Sequence, residues 1–132
     1  MRHTIEIKVR GYHLDAFSHV NNARYLEFLE EGRWAAFEKS VDLIKLGRDG
    51  YAFTIVNINI SYRRAALLNE VLTIETEITQ FGKRRAVIHQ VIKLKGTATV
   101  VADADITFVM FDTRKQKTAI LEGEILETLK IV

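Results

Sequence analysis

The stretch NARYLEFLEEGRWAAFEKSVDLIKLG, residues 22–47, decides the fold of this chain. Residues suited to one inward face recur in it at steps of three and four, which is the period of a helix. That face comprises Tyr25, Leu26, Leu29, Gly32, Arg33, Ala36, Phe37, Val41 and Ile44. The pattern predicts one long amphipathic helix that stops at Gly47 and is roughly 35 Å long, enough to lie along a whole sheet. Gly32 would let that helix approach the sheet closely.

On both sides of this stretch the period changes to two, which is the period of a strand. Before it, residues 4–10 alternate between polar and apolar side chains. After it, four alternating segments are rich in Val, Ile, Thr and aromatic residues: Tyr51 to Tyr62, Glu70 to Gln80, Arg84 to Leu94 and Thr97 to Phe111. The short breaks between these segments predict that consecutive strands are antiparallel neighbours. Residues 122–129 suit a short terminal helix.

The order of one strand, a long helix and four strands predicts an α+β fold in which an antiparallel sheet wraps around one central helix. The length of 132 residues suits a single domain, so we expect residues 1–132 to form one unit. Such a sheet still has two edges. Two subunits joined edge to edge would remove one edge from each.

The composition excludes several classes of function. The net charge of +2 gives no reason to expect nucleic-acid binding. The chain has no cysteine, which excludes disulfides, thiolate metal sites and a cysteine nucleophile. Its serines lie outside any G-x-S-x-G elbow, which disfavours a serine nucleophile. No apolar run approaches a membrane span and Met1 leads directly into the alternating pattern, so we expect a cytoplasmic protein without membrane insertion.

The loop before the helix carries the most unusual chemistry. Asn21 or Asn22 can cap the helix, whose first turn contains Arg24 and no acid. The positive pole of the helix is therefore free for an anion or a developing oxyanion, held by the amides around Asn22 and Ala23. Asp15 lies close enough upstream to fold over that pole, where it would attack an ester or activate water. A turn or cap residue is the commoner role of a loop aspartate.

The segment from Tyr12 to Trp34, YHLDAFSHVNNARYLEFLEEGRW, resembles the signature of the 4-hydroxybenzoyl-CoA thioesterase branch of hotdog proteins. Within that branch it is most similar to bacterial long-chain acyl-CoA thioesterases of the FadM type. The likeness continues through residues 56–64, 90–92 and 101–108, so it covers nearly the whole chain. The resemblance implies a hotdog fold and an acyl-CoA thioesterase with Asp15 as its catalytic carboxylate and the thioester carbonyl facing the helix N-terminus. It also implies a homodimer or a homotetramer built as a dimer of dimers, with active sites between subunits.

A few positions depart from the family pattern. His13 stands where many relatives have an acid, and Ser18 stands where many have a glycine. The small or hydroxyl residue common near Arg84 or Arg85 is missing, as is a proline that commonly follows the Tyr-Arg-Arg run. FadM-type proteins share the first two departures, so His13 and Ser18 favour membership of that subfamily.

The polar residues around Asp15 admit more than one role. His13, Asp15 and His19 match no recognised zinc spacing, so we expect neither a metal nor another cofactor. His19 orients the loop or a water in one interpretation and caps the helix in the other. Glu30 faces the active site or a neighbouring subunit, or else forms a salt bridge at helical spacing.

The remaining candidates would bind substrate. Tyr25, with Phe28 and Leu29, is a candidate wall for an acyl chain lying beside the helix. Two basic clusters at strand ends suit the phosphates of CoA, although most charge runs are simply solvated. These clusters are Arg63 and Arg64, and Lys83, Arg84 and Arg85.

The sequence thus predicts hydrolysis of a fatty acyl-CoA, with a long chain expected from the resemblance alone. Whether Asp15 is a base or a nucleophile stays open. One alternative is a thioesterase acting on acyl carrier protein, which the basic clusters would bind. A non-catalytic acyl-CoA-binding hotdog dimer is the other.

Overall fold

A computed structural model of the chain describes residues 2–132. Its strands are β1 (His3–Lys8), β2 (Tyr51–Tyr62), β3 (Val71–Phe81), β4 (Arg85–Leu94), β5 (Val100–Asp112) and β6 (Lys117–Ala119). Its helices are α1 (Asn22–Phe37), α2 (Leu43–Arg48) and α3 (Gly123–Lys130), and a single 3₁₀ turn covers Gly11–His13. All strand pairs are antiparallel, in the order β1-β3-β4-β5-β2, and β6 pairs with β5.

Helix α1 packs against the inward face of this sheet. The side of α1 that is removed from solvent comprises Tyr25, Phe28, Leu29, Gly32, Ala36 and Phe37. A Cβ atom at Gly32 would lie 2.7 Å from Ile74 Cγ2 and 3.0 Å from Gln90 Nε2, so only glycine fits where the helix meets β3 and β4. The predicted α+β architecture and the close approach at Gly32 are both confirmed.

The prediction of one continuous helix over residues 22–47 was wrong. α1 ends at Phe37, where the amides of Ser40 and Val41 both bond to the Phe37 carbonyl, at 3.0 and 2.8 Å. Asp42 then caps a separate helix, accepting a 3.0 Å hydrogen bond from the Lys45 amide. In this second helix Ile44 faces solvent, with 71% of its surface exposed, instead of extending the inward stripe.

The predicted stop at Gly47 was wrong as well. Gly47 lies inside α2, and the turn that ends α2 is completed at Gly50. The φ angle of Gly50 is +90°, a conformation that residues with a side chain rarely adopt.

The strand neighbours were only partly predicted. β3, β4 and β5 are consecutive neighbours as expected, but β2 pairs with β5 instead of β3. The segment after β2 is therefore not a hairpin turn, because it crosses to the side of the sheet formed by β1 and β3. There the Val9 amide donates to the Glu70 carbonyl, and the Asn69 amide donates to the Val9 carbonyl. The short strand β6 was not predicted at all. It forms because the Asp112 side chain accepts bonds from the next turn, which folds the chain back onto β5.

β2 is an edge strand with an apolar surface. Its inward residues face β5 across the pairs Ile55–Phe108 and Ile58–Ile106, and a bulge at Val56 interrupts the register. Ile55, Val56 and Ile58 are each more than one-third exposed in the single chain. This edge therefore combines unpaired backbone groups with uncovered apolar side chains. Within residues 2–132, no helix has both the length and the apolarity needed to span a membrane.

Candidate active site

A tight turn presents Asp15 in front of α1. The chain pairs Leu14 with Val20 across the turn, and the Asp15 amide donates to the His19 carbonyl at 2.9 Å. The loop is tied to the body of the protein by the Val20 amide, which donates to the Ala66 carbonyl at 3.0 Å. Ser18, where many relatives have glycine, has a φ angle of +64°. The geometry explains the family preference, because glycine adopts this conformation without a steric cost.

The two carboxylate oxygens of Asp15 have different surroundings. Oδ1 accepts a 2.8 Å hydrogen bond from the Phe17 amide, which is the turn role that the sequence left open. Oδ2 has no hydrogen-bond partner among residues 2–132, and Asp15 lines an open cleft. One oxygen therefore orients the group, and the other is available for chemistry.

The N-terminus of α1 contributes to the same cleft. Asn21 is the cap: its Oδ1 accepts the Ala23 amide at 2.9 Å, and no acid lies in the first turn. The Ala23 amide is therefore already bonded, while the Asn22 amide has no bonding partner among the described residues. Of the two amides predicted to hold an oxyanion, Asn22 N–H is the one left open in this structure.

The cleft has a volume of about 480 Å³ and brings together most of the predicted site. Its walls come from the loop, the first turn of α1 and the end of β2. The lining residues are Asp15, His19, Val20, Asn21, Asn22, Tyr25, Tyr62, Arg63, Arg64 and Ala65.

Two tyrosines form the inner wall. Tyr25 is buried and its hydroxyl oxygen accepts the Ala66 amide at 2.9 Å, and burial raises the pKa of Tyr25. Tyr62 donates to the Asn22 carbonyl at 3.0 Å, with its ring 5.5 Å from that of Tyr25. No role was predicted for Tyr62, although it lies within the Ser-Tyr-Arg-Arg run that carries part of the resemblance. Its place at the C-terminal end of an edge strand could not be read from the sequence.

The two cleft arginines are held by carboxylates. Arg63 Nε lies 2.9 Å from Asp103 Oδ2, and Arg64 donates two bonds of 2.8 Å to Glu70. These bonds raise the pKa of each arginine, and the bond from Arg64 lowers the pKa of Glu70. Both guanidinium groups are thus oriented, and a phosphate would share them with these acids.

Four predicted site residues lie elsewhere in the protomer. Glu30 lines a second cavity, next to Arg33 and Trp34. Lys83, Arg84 and Arg85 surround the turn between β3 and β4, and Arg84 donates to the Thr118 carbonyl at 3.1 Å. That turn lies at the opposite end of the sheet from the cleft, because β3 leads away from the loop that follows Arg64. A single protomer therefore does not join the two basic clusters.

The two loop histidines differ in environment. His13 is buried between Tyr12 and Phe28, and its Nδ1 accepts the Arg10 amide at 2.9 Å. Burial lowers the pKa of His13, as does the positive charge of Arg24. His13 is thus a packing residue, whereas His19 is exposed and lines the cleft. Across residues 2–132, no three His, Cys, Asp or Glu side chains are placed so that they could hold a metal ion.

The arrangement supplies the parts needed to cleave an activated ester. A carboxylate oxygen is open to the cleft, a helix N-terminus offers an unbonded amide, and two tyrosine hydroxyls fix the wall between them. A carboxylate can attack a carbonyl carbon or deprotonate water, and a helix N-terminus stabilises the negative charge that follows.

Comparison with known proteins gives a consistent family. The sequence pattern of the thioesterase-like superfamily matches residues 9–129. The chain is 51% identical over 125 residues to the long-chain acyl-CoA thioesterase FadM of Escherichia coli strain K12, with 95% of each chain covered. It is 27% identical over 119 residues to the acyl-acyl carrier protein thioesterase ATL2 of Arabidopsis thaliana, covering 89% of this chain and 63% of ATL2.

Solved structures agree with this grouping. The probable thioesterase YbaW from Escherichia coli superposes with a TM-score of 0.90 at 50% identity, covering 97% of this chain and 96% of that one. The 1,4-dihydroxy-2-naphthoyl-CoA thioesterase Slr0204 from Synechocystis superposes with a TM-score of 0.89 at 20% identity, over 98% of this chain and 96% of that one. The latter likeness concerns the fold, and both support the predicted hotdog architecture.

Proposed function

Because this chain belongs to the thioesterase-like superfamily, we propose that it hydrolyses long-chain acyl-CoA to a free fatty acid and CoA. The observation that carries the proposal is the unbonded Asp15 Oδ2 in a cleft that also holds the N-terminus of α1. The identity of 51% to a long-chain acyl-CoA thioesterase supports the choice of CoA and of chain length.

In the simpler mechanism Asp15 acts as a base. Water attacks the thioester carbonyl carbon and gives its proton to Asp15 Oδ2, while the carbonyl electron pair moves to oxygen. The Asn22 amide holds that oxyanion. The intermediate then collapses, the carbon–sulfur bond breaks, and the proton passes from Asp15 to the departing thiolate to give CoA.

In the alternative mechanism Asp15 attacks the carbonyl itself, expels the thiolate and forms a mixed anhydride, which water then hydrolyses. Label in the Asp15 carboxylate after a single turnover in ¹⁸O-labelled water would establish this route. The anhydride route places label in the Asp15 carboxylate when water attacks that side, whereas direct attack by water labels only the released fatty acid.

The assembly we propose is a homodimer joined along β2. Two copies of β2 paired antiparallel would satisfy the unpaired backbone of each edge and cover Ile55, Val56 and Ile58. A tetramer made from two such dimers remains a prediction from the family resemblance.

This dimer would also complete the site. Antiparallel pairing sets the Tyr62 end of one β2 beside the Tyr51 end of the other. The Tyr51 end of β2 and the basic turn lie at the same end of the sheet. Tyr51 pairs with Asp112 of β5, and Arg85, next to the turn, pairs with Val109 of the same strand. Lys83, Arg84 and Arg85 of one protomer would then approach Arg63 and Arg64 of the other. The five predicted phosphate contacts would thus surround one CoA molecule across the interface.

Light scattering tests the assembly. Val56→Lys places a charge on the exposed edge, so we expect a monomer with less than a tenth of the turnover. Thr4→Lys, on the opposite edge strand β1, is the matched control and should leave mass and turnover unchanged. An active Val56→Lys monomer would exclude the shared site.

A second candidate is hydrolysis of acyl carrier protein thioesters, which the likeness to ATL2 favours. We therefore propose an assay in which palmitoyl-CoA and palmitoyl carrier protein compete for the enzyme. We expect palmitoyl-CoA to be turned over faster. Preference for the carrier protein would select the second function, and binding of palmitoyl-CoA without thiol release would select the non-catalytic dimer. We also propose a cytoplasmic site of action, supported by a chain without cysteine, which needs no disulfide-forming compartment.

A further inference from the structure

The end of the sheet that holds the Asp15 cleft carries exposed apolar side chains. We call the surface formed by residues 8–21 and 63–70 the loop end. Backbone hydrogen bonds of 2.9 to 3.0 Å join its two segments at three places: from Val9 to Glu70, from Asn69 to Val9 and from Val20 to Ala66. Four large side chains on this surface are each at least 42% exposed: Tyr12, Phe17, Leu67 and Leu68. Apolar side chains gathered on one surface indicate contact with a partner or a membrane.

The proposed dimer leaves much of this surface uncovered. The segment that contains Leu67 and Leu68 lies beside β1 and β3. Tyr12 lies on the same side, in a groove that it shares with Lys8 and Arg10. Because β1 and β2 are opposite edges of the sheet, an interface along β2 is on the other side of the sheet from these side chains.

The loop end is also basic. Its two segments contain four Lys or Arg residues and two Asp or Glu residues, a net charge of +2 that equals the net charge of the whole chain. Arg63 and Arg64 each have a carboxylate partner, whereas Lys8 and Arg10 have none within 4.0 Å among residues 2–132. Two exposed cations without a counterion thus lie beside exposed apolar side chains. This combination is complementary to the surface of an acidic bilayer.

We propose that the loop end docks on a bilayer that contains acidic lipids, so that long-chain acyl-CoA reaches the Asp15 cleft from the membrane surface. Leu67 and Leu68 would enter the boundary between headgroups and acyl chains, where they lose contact with water. Lys8 and Arg10 would lie among the negatively charged headgroups. The delivery of substrate rests on the proposed function, whereas docking itself is measured without turnover.

Sedimentation of the wild-type protein with vesicles measures docking. Vesicles of phosphatidylcholine and phosphatidylglycerol should bind the protein saturably at low salt. We expect binding to vesicles of phosphatidylcholine alone to be at least about tenfold weaker, because they offer the cations no negative charge. High salt should weaken binding to the acidic vesicles, because it screens the attraction. Equal binding to both kinds of vesicle, or to neither, would overturn the proposal.

An apolar variant and a charge variant locate the contact. Leu67→Ser combined with Leu68→Ser should weaken binding to acidic vesicles at least about tenfold, because it removes the apolar contact. Ile131→Ser changes an exposed aliphatic side chain outside the loop end and should bind as the wild type does. Lys8→Gln should weaken binding about fivefold, the usual contribution of one cation at an acidic surface. Lys115→Gln makes the same change on an exposed turn and should have no such effect.

Wild-type binding by both loop-end variants would overturn the proposal. Should the double leucine variant fail to fold, Lys8→Gln and its control decide the matter. A second copy of the chain is the competing partner for this surface. If light scattering shows that the double leucine variant has a lower molar mass than the wild type, and acidic vesicles do not bind the wild type, the surface is a subunit contact and the proposal fails.

Two further measurements separate docking from the reaction. Asp15→Asn should bind acidic vesicles as the wild type does. Acidic vesicles hold palmitoyl-CoA in the bilayer, so adding them should slow thiol release by the double leucine variant more than release by the wild type. Equal slowing would overturn delivery from the membrane. Absence of turnover by the wild type would refute the proposed function, and vesicle binding would still decide whether the loop end docks.

Discussion

The two ends of α1 hold cavities of opposite character. At the N-terminal end, most residues that line the cleft are polar, and Asp15 is held by a turn within its own loop. At the C-terminal end, the cavity is lined by core residues, and Arg33 is held by a buried network that spans two strands. The difference teaches that cleft residues outside the core, such as Asp15 and His19, can be changed with little effect on the fold, whereas the phenylalanines of the cavity belong to the core.

The largest expected loss of stability is at the cavity. Phe108 is 1% exposed and touches the rings of Phe37 and Phe53. Phe108→Ala should lower the free energy of unfolding by about 4 kcal/mol, because it removes buried apolar surface and leaves a void. Urea unfolding followed by circular dichroism measures this. A loss below about 1 kcal/mol would show that the cavity contributes no more to stability than the cleft does.

A smaller and different effect is expected in the cleft. Tyr62→Phe removes the hydroxyl that bonds to the Asn22 carbonyl at the start of α1. We expect kcat for palmitoyl-CoA to fall roughly tenfold, equivalent to about 1.4 kcal/mol, with a free energy of unfolding within about 1 kcal/mol of the wild type. Tyr12→Phe, which removes the hydroxyl of an exposed tyrosine outside the cleft lining, is the control. A large loss of stability with unchanged kcat would reverse the assignment.

His13 predicts a pH effect beside the cleft. Burial holds the pKa of His13 below its usual 6.5, so the unfolded chain binds a proton more readily than the folded one as the pH falls through that value. Stability should therefore decrease as the solution is acidified below about pH 6.5 and should be fully regained above it. His13→Asn keeps an acceptor for the Arg10 amide and removes the titration. Unfolding curves at several pH values should show a shallower slope for this variant, and an identical slope would contradict the assignment.

The smallest effect is expected at Ser18. Its φ angle of +64° is costly for serine and free for glycine. Ser18→Gly should therefore stabilise the protein by about 0.5 kcal/mol, after the greater flexibility of glycine in the unfolded chain is subtracted. Thermal unfolding measures the shift. A decrease in melting temperature would show that the serine hydroxyl has a contact that outweighs the strain.

Local patterns predicted the elements well and their arrangement less well. β2 was predicted with its exact bounds, and Gly32 was correctly placed at a close contact, because periodicity and glycine report local geometry. The break of the helix after Phe37 escaped prediction because the buried Val41 continues the apolar period beyond the end of α1. The pairing of β2 with β5 escaped as well, since strand order depends on contacts that are distant in sequence.

The site was predicted in a similar way. The loop–helix motif identified Asp15, His19 and Asn22, which are neighbours in sequence and meet in one cleft. Tyr62 and the cavity around Arg33 come from different elements that only the fold brings together. Glu30 and the cluster at Arg84 lie outside the cleft of their own protomer, so their predicted roles depend on a partner that the sequence of one chain cannot position.

The central claim is that the free oxygen of Asp15 performs the hydrolysis. The most direct measurement is the rate of thiol release from palmitoyl-CoA by Asp15→Asn, with Asp105→Asn, a surface residue paired with His89, as the matched control. The chain has no cysteine, so a thiol reagent reports only liberated CoA. We predict a fall of at least about a hundredfold in Asp15→Asn and none in Asp105→Asn, with both proteins folded. Full turnover by Asp15→Asn would contradict the account.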